Sequence, residues 1–312
     1  MSLPLAHSLN ARGTTLDFGA RPLVMGILNA TPDSFSDAGL RPDLASRLAH
    51  GRDLVASGAD LLDVGGESGV TNRPGVEPQE EIERVAPLVA LLARDATPGV
   101  LLSVDTYKPA VASAAIEAGA SIVNDPSGLM APELAELCGE TGAALVLTHT
   151  RARPKQKIHR PRYEDVVEEV KRFLADRIEQ ACALGVSEEQ LMLCPGPDLG
   201  KDPAQTVELL HRVGELSTLG RPIMLAASRK DFLGALTGRR PRERLAGTLA
   251  AIGFGVAHGA RVLRVHDVAE VRDFLIVRAA LEGELDVRDD LTLTDELRWQ
   301  EAQPAAANEG SG

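Results

Sequence analysis

From Leu23 to Leu28 six residues follow one another without a polar side chain or a helical period, and that length suits a buried strand. The character then reverses. Asn29, Thr31, Pro32, Asp33, Ser34, Ser36 and Asp37 are polar or ring-locked, so residues 29–37 predict a loop that faces water or a ligand. Phe35 is the large apolar side chain in this loop, placed to tuck beneath it or to meet a flat substrate.

The same design recurs along the chain. Residues 60–64 lead into 65–68, 100–104 into 105–108, 121–123 into 124–125, and 144–147 into 148–151. Residues 191–193 lead into 194–201, 222–226 into 228–231, and 261–263 into 264–267. Helical spacing fills the intervals 43–57, 80–93, 109–118, 132–140, 163–184, 204–215, 242–258 and 268–282. Short apolar strands alternating with helices predict a parallel sheet. Eight such units in roughly 250 residues predict an α/β fold of the (β/α)8 TIM barrel type. An open doubly wound sheet would need few polar strand ends, because its ligand sits at one switch point. Here nearly every strand ends in an acid, amide, His, Lys or Arg, and a barrel gathers those ends at one mouth. Gly119, Gly142, Gly185, Gly220 and Gly259 fall shortly before strands, as helix C-terminal caps should. Residues 1–20 predict an N-terminal arm with a short hairpin near Thr14–Phe18, residues 21–284 the barrel, and 285–312 a tail whose end is disordered.

Composition narrows the class. The 312 residues are 44% hydrophobic, enough for one large core, but only 3% aromatic, so Ala, Val, Leu and Ile must build it. A net charge of −12 argues against a surface drawn to nucleic acid or anionic membrane. Cys138, Cys182 and Cys194 show neither CxxC spacing nor an even framework, which predicts a reducing compartment. No apolar run reaches the roughly 18 residues of a spanning helix, and residues 1–20 hold no signal-peptide core. The expectation is a soluble cytoplasmic protein.

Three chemistries meet at the predicted mouth. Asn29, Arg264 and His266, with Lys201, Arg229 and Lys230 nearby, suit a phosphate or pyrophosphate. Asp105 and Asn124 offer an acceptor and a mixed donor/acceptor for the amide and amine edge of a heterocycle. Asp33, Asp37 and Glu67 are loop acids suited to a magnesium ion or a developing cation. No zinc spacing, nucleophile elbow or Walker loop is present in the sequence.

These residues carry a resemblance. Residues 25–37, 63–68, 73–75, 103–108, 124–125, 228–230 and 264–267, in that order, resemble the dihydropteroate synthase family across about residues 18–280. The resemblance implies a (β/α)8 barrel and a homodimer. It implies an enzyme joining 6-hydroxymethyl-7,8-dihydropterin pyrophosphate to para-aminobenzoate with release of pyrophosphate, a step of folate biosynthesis. Carried over by position, Asp105, Asn124 and Lys230 would hold the pterin, and Asn29, Arg264 and His266 the pyrophosphate, with magnesium on Asn29. Phe35, Asp37, Arg73 and Pro74 would belong to loops closing over the aryl amine. Asp37, Lys230, Arg264 and His266 would carry the catalysis, which stabilises a leaving anion and a forming methylene cation.

The departures are selective. Cys194 stands where the family has an acid that pairs with the pterin edge, and a neutral thiol is a poor acceptor. Leu199 replaces a Phe lining the aryl amine slot, and Asp198 is added beside it. Asp231 replaces a Ser at the helix start where the family holds the aminobenzoate carboxylate, so two carboxylates would meet. Residues 69–72 lengthen the second loop. Three readings follow: a synthase with weakened pterin and aryl amine recognition, a related pyrophosphate-expelling enzyme with another acceptor, or a non-catalytic pterin-binding paralogue. A methyltetrahydrofolate-type methyltransferase is disfavoured, since that chemistry has no pyrophosphate for Arg264 and His266.

Overall fold

A computed structural model describes residues 8–19, 21–31, 44–69, 74–95, 99–156, 158 and 161–298. The described residues open on an antiparallel hairpin, β1 (Ser8–Ala11) and β2 (Thr14–Asp17), in which the stretch expected to form the whole hairpin supplies its second strand. Eight parallel strands follow: β3 (Leu23–Asn29), β4 (Leu61–Gly65), β5 (Leu101–Asp105), β6 (Ile122–Asp125), β7 (Ala144–Thr148), β8 (Leu191–Cys194), β9 (Ile223–Leu225) and β10 (Ala260–Val265). They pair in sequence order and close through β10 onto β3, giving the (β/α)8 barrel.

The helices are α1 (Leu44–Ala56), α2 (Pro78–Asp95), α3 (Pro109–Ala118), α4 (Glu133–Thr141), α5 (Val166–Ala183), α6 (Pro203–His211), α7 (Asp231–Thr237), α8 (Leu245–Ala257) and α9 (Val268–Leu281). Two differ from the sequence reading. The segment 204–215 is divided, with α6 ending at His211 and a 3-10 stretch running from Val213 to Leu219. The short α7 starts at Asp231, where the resemblance implied a helix start, but it falls outside the intervals of helical spacing because it buries only Phe232 and Leu233 and so has no repeating apolar stripe. Gly142 has φ 73° and Gly220 φ 70°, left-handed values at which a side chain would be strained, as their capping role demands.

Alternation along the strands makes two cores. Leu62 and Val64 point outward into the layer shared with the helices, alongside Val85, Leu88 and Val89 of α2. Leu61 points inward, joining Met25, Ile122, Met192, Met224 and Val262 in the barrel lumen. The hairpin plugs the lumen with Leu9, Ala11, Leu16 and Phe18. Arg12 fastens it, donating from its guanidinium to the carbonyls of Ile116 (2.7 Å) and Ala120 (3.1 Å). With that end filled by apolar side chains, the polar strand ends gather at the opposite mouth.

The chain divides into two compact units, residues 1–275 and 276–312. The first carries the hairpin and all eight barrel strands; the second contains the end of α9 and a 3-10 turn, Asp295–Leu297.

Candidate active site

Asp63 anchors the site. It lies mid-strand in β4, fully buried and facing the lumen, in register with Ser103 of β5. Ser103 donates its hydroxyl to one carboxylate oxygen (2.6 Å). The other oxygen accepts the Asn124 amide of β6 (2.9 Å) and Nε of Arg264 from β10 (2.6 Å). Arg264 also donates through a terminal nitrogen to Asp105 at the end of β5 (2.6 Å). Four strand ends are thus joined through two carboxylates, one amide, one hydroxyl and one guanidinium. Burial raises the Asp105 pKa and Arg264 pulls it back, while nearby Asp63 adds to the rise; the outcome is about 7.

Asp105 and Asn124, expected on the pterin, are register partners, and Arg264, expected on the pyrophosphate, is ion-paired with Asp105. Lys230 precedes α7 at the same mouth. Burial lowers its pKa, and Asp198 exerts the largest opposing charge. Cys194 ends β8, buried and lumen-facing beside its register partner Thr148. Burial raises its thiol pKa, although the Gly196 N–H, Lys230 and Arg264 pull the other way, so the group stays protonated.

His266 and Ser228 form the next layer. The Ser228 hydroxyl accepts the His266 backbone N–H (3.2 Å) and lies 2.9 Å from Nδ1. In the tautomer where the Ser228 hydroxyl donates to Nδ1, Nε2 carries the ring N–H and points it away from Ser228 as a donor. Burial lowers the His266 pKa to about 4, with Arg229 and Arg264 adding to the effect, so the ring is neutral at pH 7. Arg229 is not part of a free cationic set, because its guanidinium is held by Asp267 (Nε to Oδ2 3.0 Å).

The loop after β8 departs most from expectation. The Asp231 side chain is 90% exposed and pairs with Arg244 at 3.0 Å, so it does not fill the start of α7. Asp198 does: its carboxylate accepts the backbone N–H groups of Asp231 (2.5 Å) and Phe232 (3.2 Å). Asp198 has φ 63°, a left-handed conformation that Asp tolerates better than most residues, and Thr206 donates to its other oxygen at 3.1 Å. Leu199 sits half-buried in this loop. Its carbonyl accepts Nζ of Lys201 (3.2 Å), which also reaches the Gly196 carbonyl (2.9 Å) and Nδ1 of His149 (2.8 Å). Lys201 is thus a buried tie within the loop, not an anion ligand.

Glu67 is likewise engaged. It accepts the Val76 N–H (2.8 Å), the Tyr107 hydroxyl (3.0 Å) and Nζ of Lys108 (2.7 Å), and it pairs with Lys155 (3.2 Å). Burial works to raise its pKa, but Lys108 and the Val76 N–H outweigh it and hold the carboxylate ionised. A carboxylate so saturated has no lone pair to spare for magnesium, which corrects its placement among the metal-binding acids. Asn29 ends β3 with an exposed side chain, and Pro74 is exposed. Asp33, Phe35, Asp37 and Arg73 lie outside the described residues.

Sequence reasoning quoted Asp63 within a motif but gave it no role. The signal was an acid inside the apolar run 61–64, since an acid in a buried strand must have partners. The Lys201–His149 tie left no such trace, because its members lie 52 residues apart.

The profile of the family described as pterin binding enzyme matches residues 25–266. A dihydropteroate synthase of Escherichia coli (strain K12) is 39% identical over 279 residues, covering 88% of this chain and 97% of the relative. An inactive dihydropteroate synthase 2 of Mycobacterium tuberculosis is 41% identical over 273 residues, covering 85% of this chain and 84% of the relative. The solved structure of a Xanthomonas albilineans dihydropteroate synthase with 4-aminobenzoic acid matches with a TM-score of 0.82 and 40% identity, covering 89% of this chain and 99% of that one.

Proposed function

This chain belongs to the pterin-binding enzyme family, and from that membership we propose a dihydropteroate synthase-type transferase that joins 6-hydroxymethyl-7,8-dihydropterin pyrophosphate to an aryl amine. The observation that carries this reading is the network tying Asp63, Ser103, Asn124, Asp105 and Arg264 across four strands. It presents, in one place, an acceptor and an amide for a heterocycle edge beside a guanidinium for an anion.

The bond from the pterin methylene carbon to the bridging oxygen breaks, pyrophosphate leaves with the bonding pair, and the amine nitrogen bonds to the methylene cation left behind. The amine then gives up a proton. Asp105 and Asn124 hold the pterin with Lys230, and Arg264 with the Nε2–H of His266 receives the departing charge. Donors fixed by Asp63 and Ser228 need no rearrangement as that charge appears. Asp37, to which the resemblance gives the stabilisation of the cation, lies outside the described residues.

Magnesium fits the donors as a passenger of the phosphates. Among the described residues no cluster of three or more His, Cys, Asp or Glu could hold a metal alone. Magnesium bound to phosphates keeps several waters and takes one or two protein oxygens, and the exposed Asn29 amide at the mouth offers one. Bound there, it would neutralise part of the charge on pyrophosphate.

Three free thiols accord with a cytoplasmic setting, and the exposed Leu236 and Phe254 accord with a homodimer, which light scattering would test. Purified protein supplied with the pterin pyrophosphate, magnesium and an aryl amine should release pyrophosphate and form the pterin–amine adduct. No adduct with para-aminobenzoate or a neutral aryl amine would overturn the reading.

A second reading, a non-catalytic pterin-binding paralogue, is favoured by the likeness to an inactive relative and by the neutral thiol of Cys194. Release of pyrophosphate from the pterin substrate with para-aminobenzoate or a neutral aryl amine separates the two, and growth of a folate-auxotrophic host carrying this gene reports para-aminobenzoate use alone.

A further inference from the structure

Aryl amine acceptors of the para-aminobenzoate kind carry an amine at one end and a carboxylate at the other. The amine must reach the pterin methylene above Arg264, so the carboxylate must find donors at the rim of the mouth. Among the described residues few are open. Arg264 is paired with Asp63 and Asp105 and its remaining N–H groups serve the pyrophosphate, while Arg229 is held by Asp267, and Lys201 by two carbonyls and His149. The consecutive main-chain N–H groups of Asp231 and Phe232 are directed at a carboxylate already, that of Asp198. That carboxylate is fixed from behind by the buried Thr206, which donates to its other oxygen and accepts the Asp198 N–H at 3.2 Å. Asp198 also supplies the strongest opposing charge felt by Lys230, the next donor on that rim.

We propose that Asp198 is a specificity-determining residue, an internal carboxylate that occupies the rim donors and turns the acceptor preference from carboxylate-bearing to neutral aryl amines. This rests on the synthase reading above. Two carboxylates cannot share one pair of N–H donors, because like charges at hydrogen-bonding range repel and one would have to be protonated or displaced. An incoming acceptor carboxylate must therefore lift Asp198 off two charge-assisted bonds, whereas a neutral acceptor such as 4-aminobenzamide leaves them in place.

Asp198→Ala and Asp198→Asn test this in the full-length protein, with melting curves to establish that each folds. Thr206→Val serves as a third variant, which leaves the Asp198 carboxylate in place but unbraced. The first readout needs no turnover: thermal stabilisation by para-aminobenzoate and by 4-aminobenzamide in the presence of pyrophosphate and magnesium. The parent should be stabilised by the amide and hardly by the acid, and Asp198→Ala by both. The second is the KM for para-aminobenzoate, which should fall about ten-fold or more in Asp198→Ala while that for the pterin substrate holds. Thr206→Val should fall between. Equal stabilisation of the parent and Asp198→Ala by the acid, or an unchanged ratio of the two acceptors, would overturn the proposal. If no form makes an adduct but the stabilisation pattern holds, the synthase reading fails and the rim assignment stands.

Discussion

Lys201 Nζ stands 2.8 Å from Nδ1 of His149, a buried ammonium donor against a ring whose pKa burial lowers to about 2. Burial also brings Lys201 down from the ordinary value of 10.5 to about 7. Between those two values the unfolded chain binds a proton that the folded chain does not. The stability contributed by this group therefore rises with pH across that window and falls as the pH drops back through it. Lys201→Met removes the titration. Urea unfolding at about pH 7.5 and about pH 9.5 should show the parent gaining more stability than the variant between the two. Parallel behaviour of parent and variant would place the shift elsewhere.

The barrel was legible because each strand is an apolar run cut off by a polar turn, as at Leu28–Asn29 and Val104–Asp105. That signal is local and survives without any knowledge of partners. The resemblance puts a carboxylate at the start of α7 through Asp231, which stands where the family has a Ser. The structure fills that place with Asp198, 33 residues earlier, and sends Asp231 outward to Arg244. Which of two acids reaches a pair of amides depends on the loop path through Gly196 and Gly200. Both have positive φ; an added Cβ at Gly196 would collide with the His149 carbonyl, and one at Gly200 would sit tightly against Arg151. Pairings fixed by packing between loops leave no periodic trace.

Asp63 has no access to solvent, and its two oxygens take three donors from three other strands. Asp63→Ala leaves Arg264 short of a partner in the lumen. Stripping one partner from a buried pair costs about 3–5 kcal/mol, so denaturant midpoints should fall steeply. Asp63→Asn keeps the shape and should lose less. Equal, small losses for both would mean that Arg264 finds water or Asp105 sufficient.

Cys194 gives the lumen a neutral group within the fields of Lys230, Arg264 and Lys201. An aspartate at that position would sit among these cations and be held ionised, restoring a charged acceptor for the pterin edge. Cys194→Asp should lower the apparent binding constant for the pterin substrate about ten-fold, roughly 1.4 kcal/mol, with little change for the aryl amine. Steady-state kinetics with each substrate varied in turn decide this. A folded variant with unchanged pterin affinity would show that the thiol is only a strand-end packing group.

The pH dependence of turnover separates Asp105 from His266. The Asp105 carboxyl has a pKa of about 7, so it gains its acceptor charge as the pH rises through neutrality. His266 has a pKa of about 4 and stays neutral throughout that range, acting as an Nε2–H donor set by Ser228. The ratio kcat/KM for the pterin substrate should therefore climb between about pH 6 and about pH 8, with the limb owed to Asp105. His266→Gln replaces one neutral N–H donor by another and should keep that limb at a reduced rate. Asp105→Asn holds no titrating proton, so its residual activity should lose the limb. The phosphates of the substrate titrate nearby, and a limb that persists in Asp105→Asn would belong to them. A limb that disappears in His266→Gln but persists in Asp105→Asn would assign the proton to the imidazole and overturn the neutral-donor role given to it here.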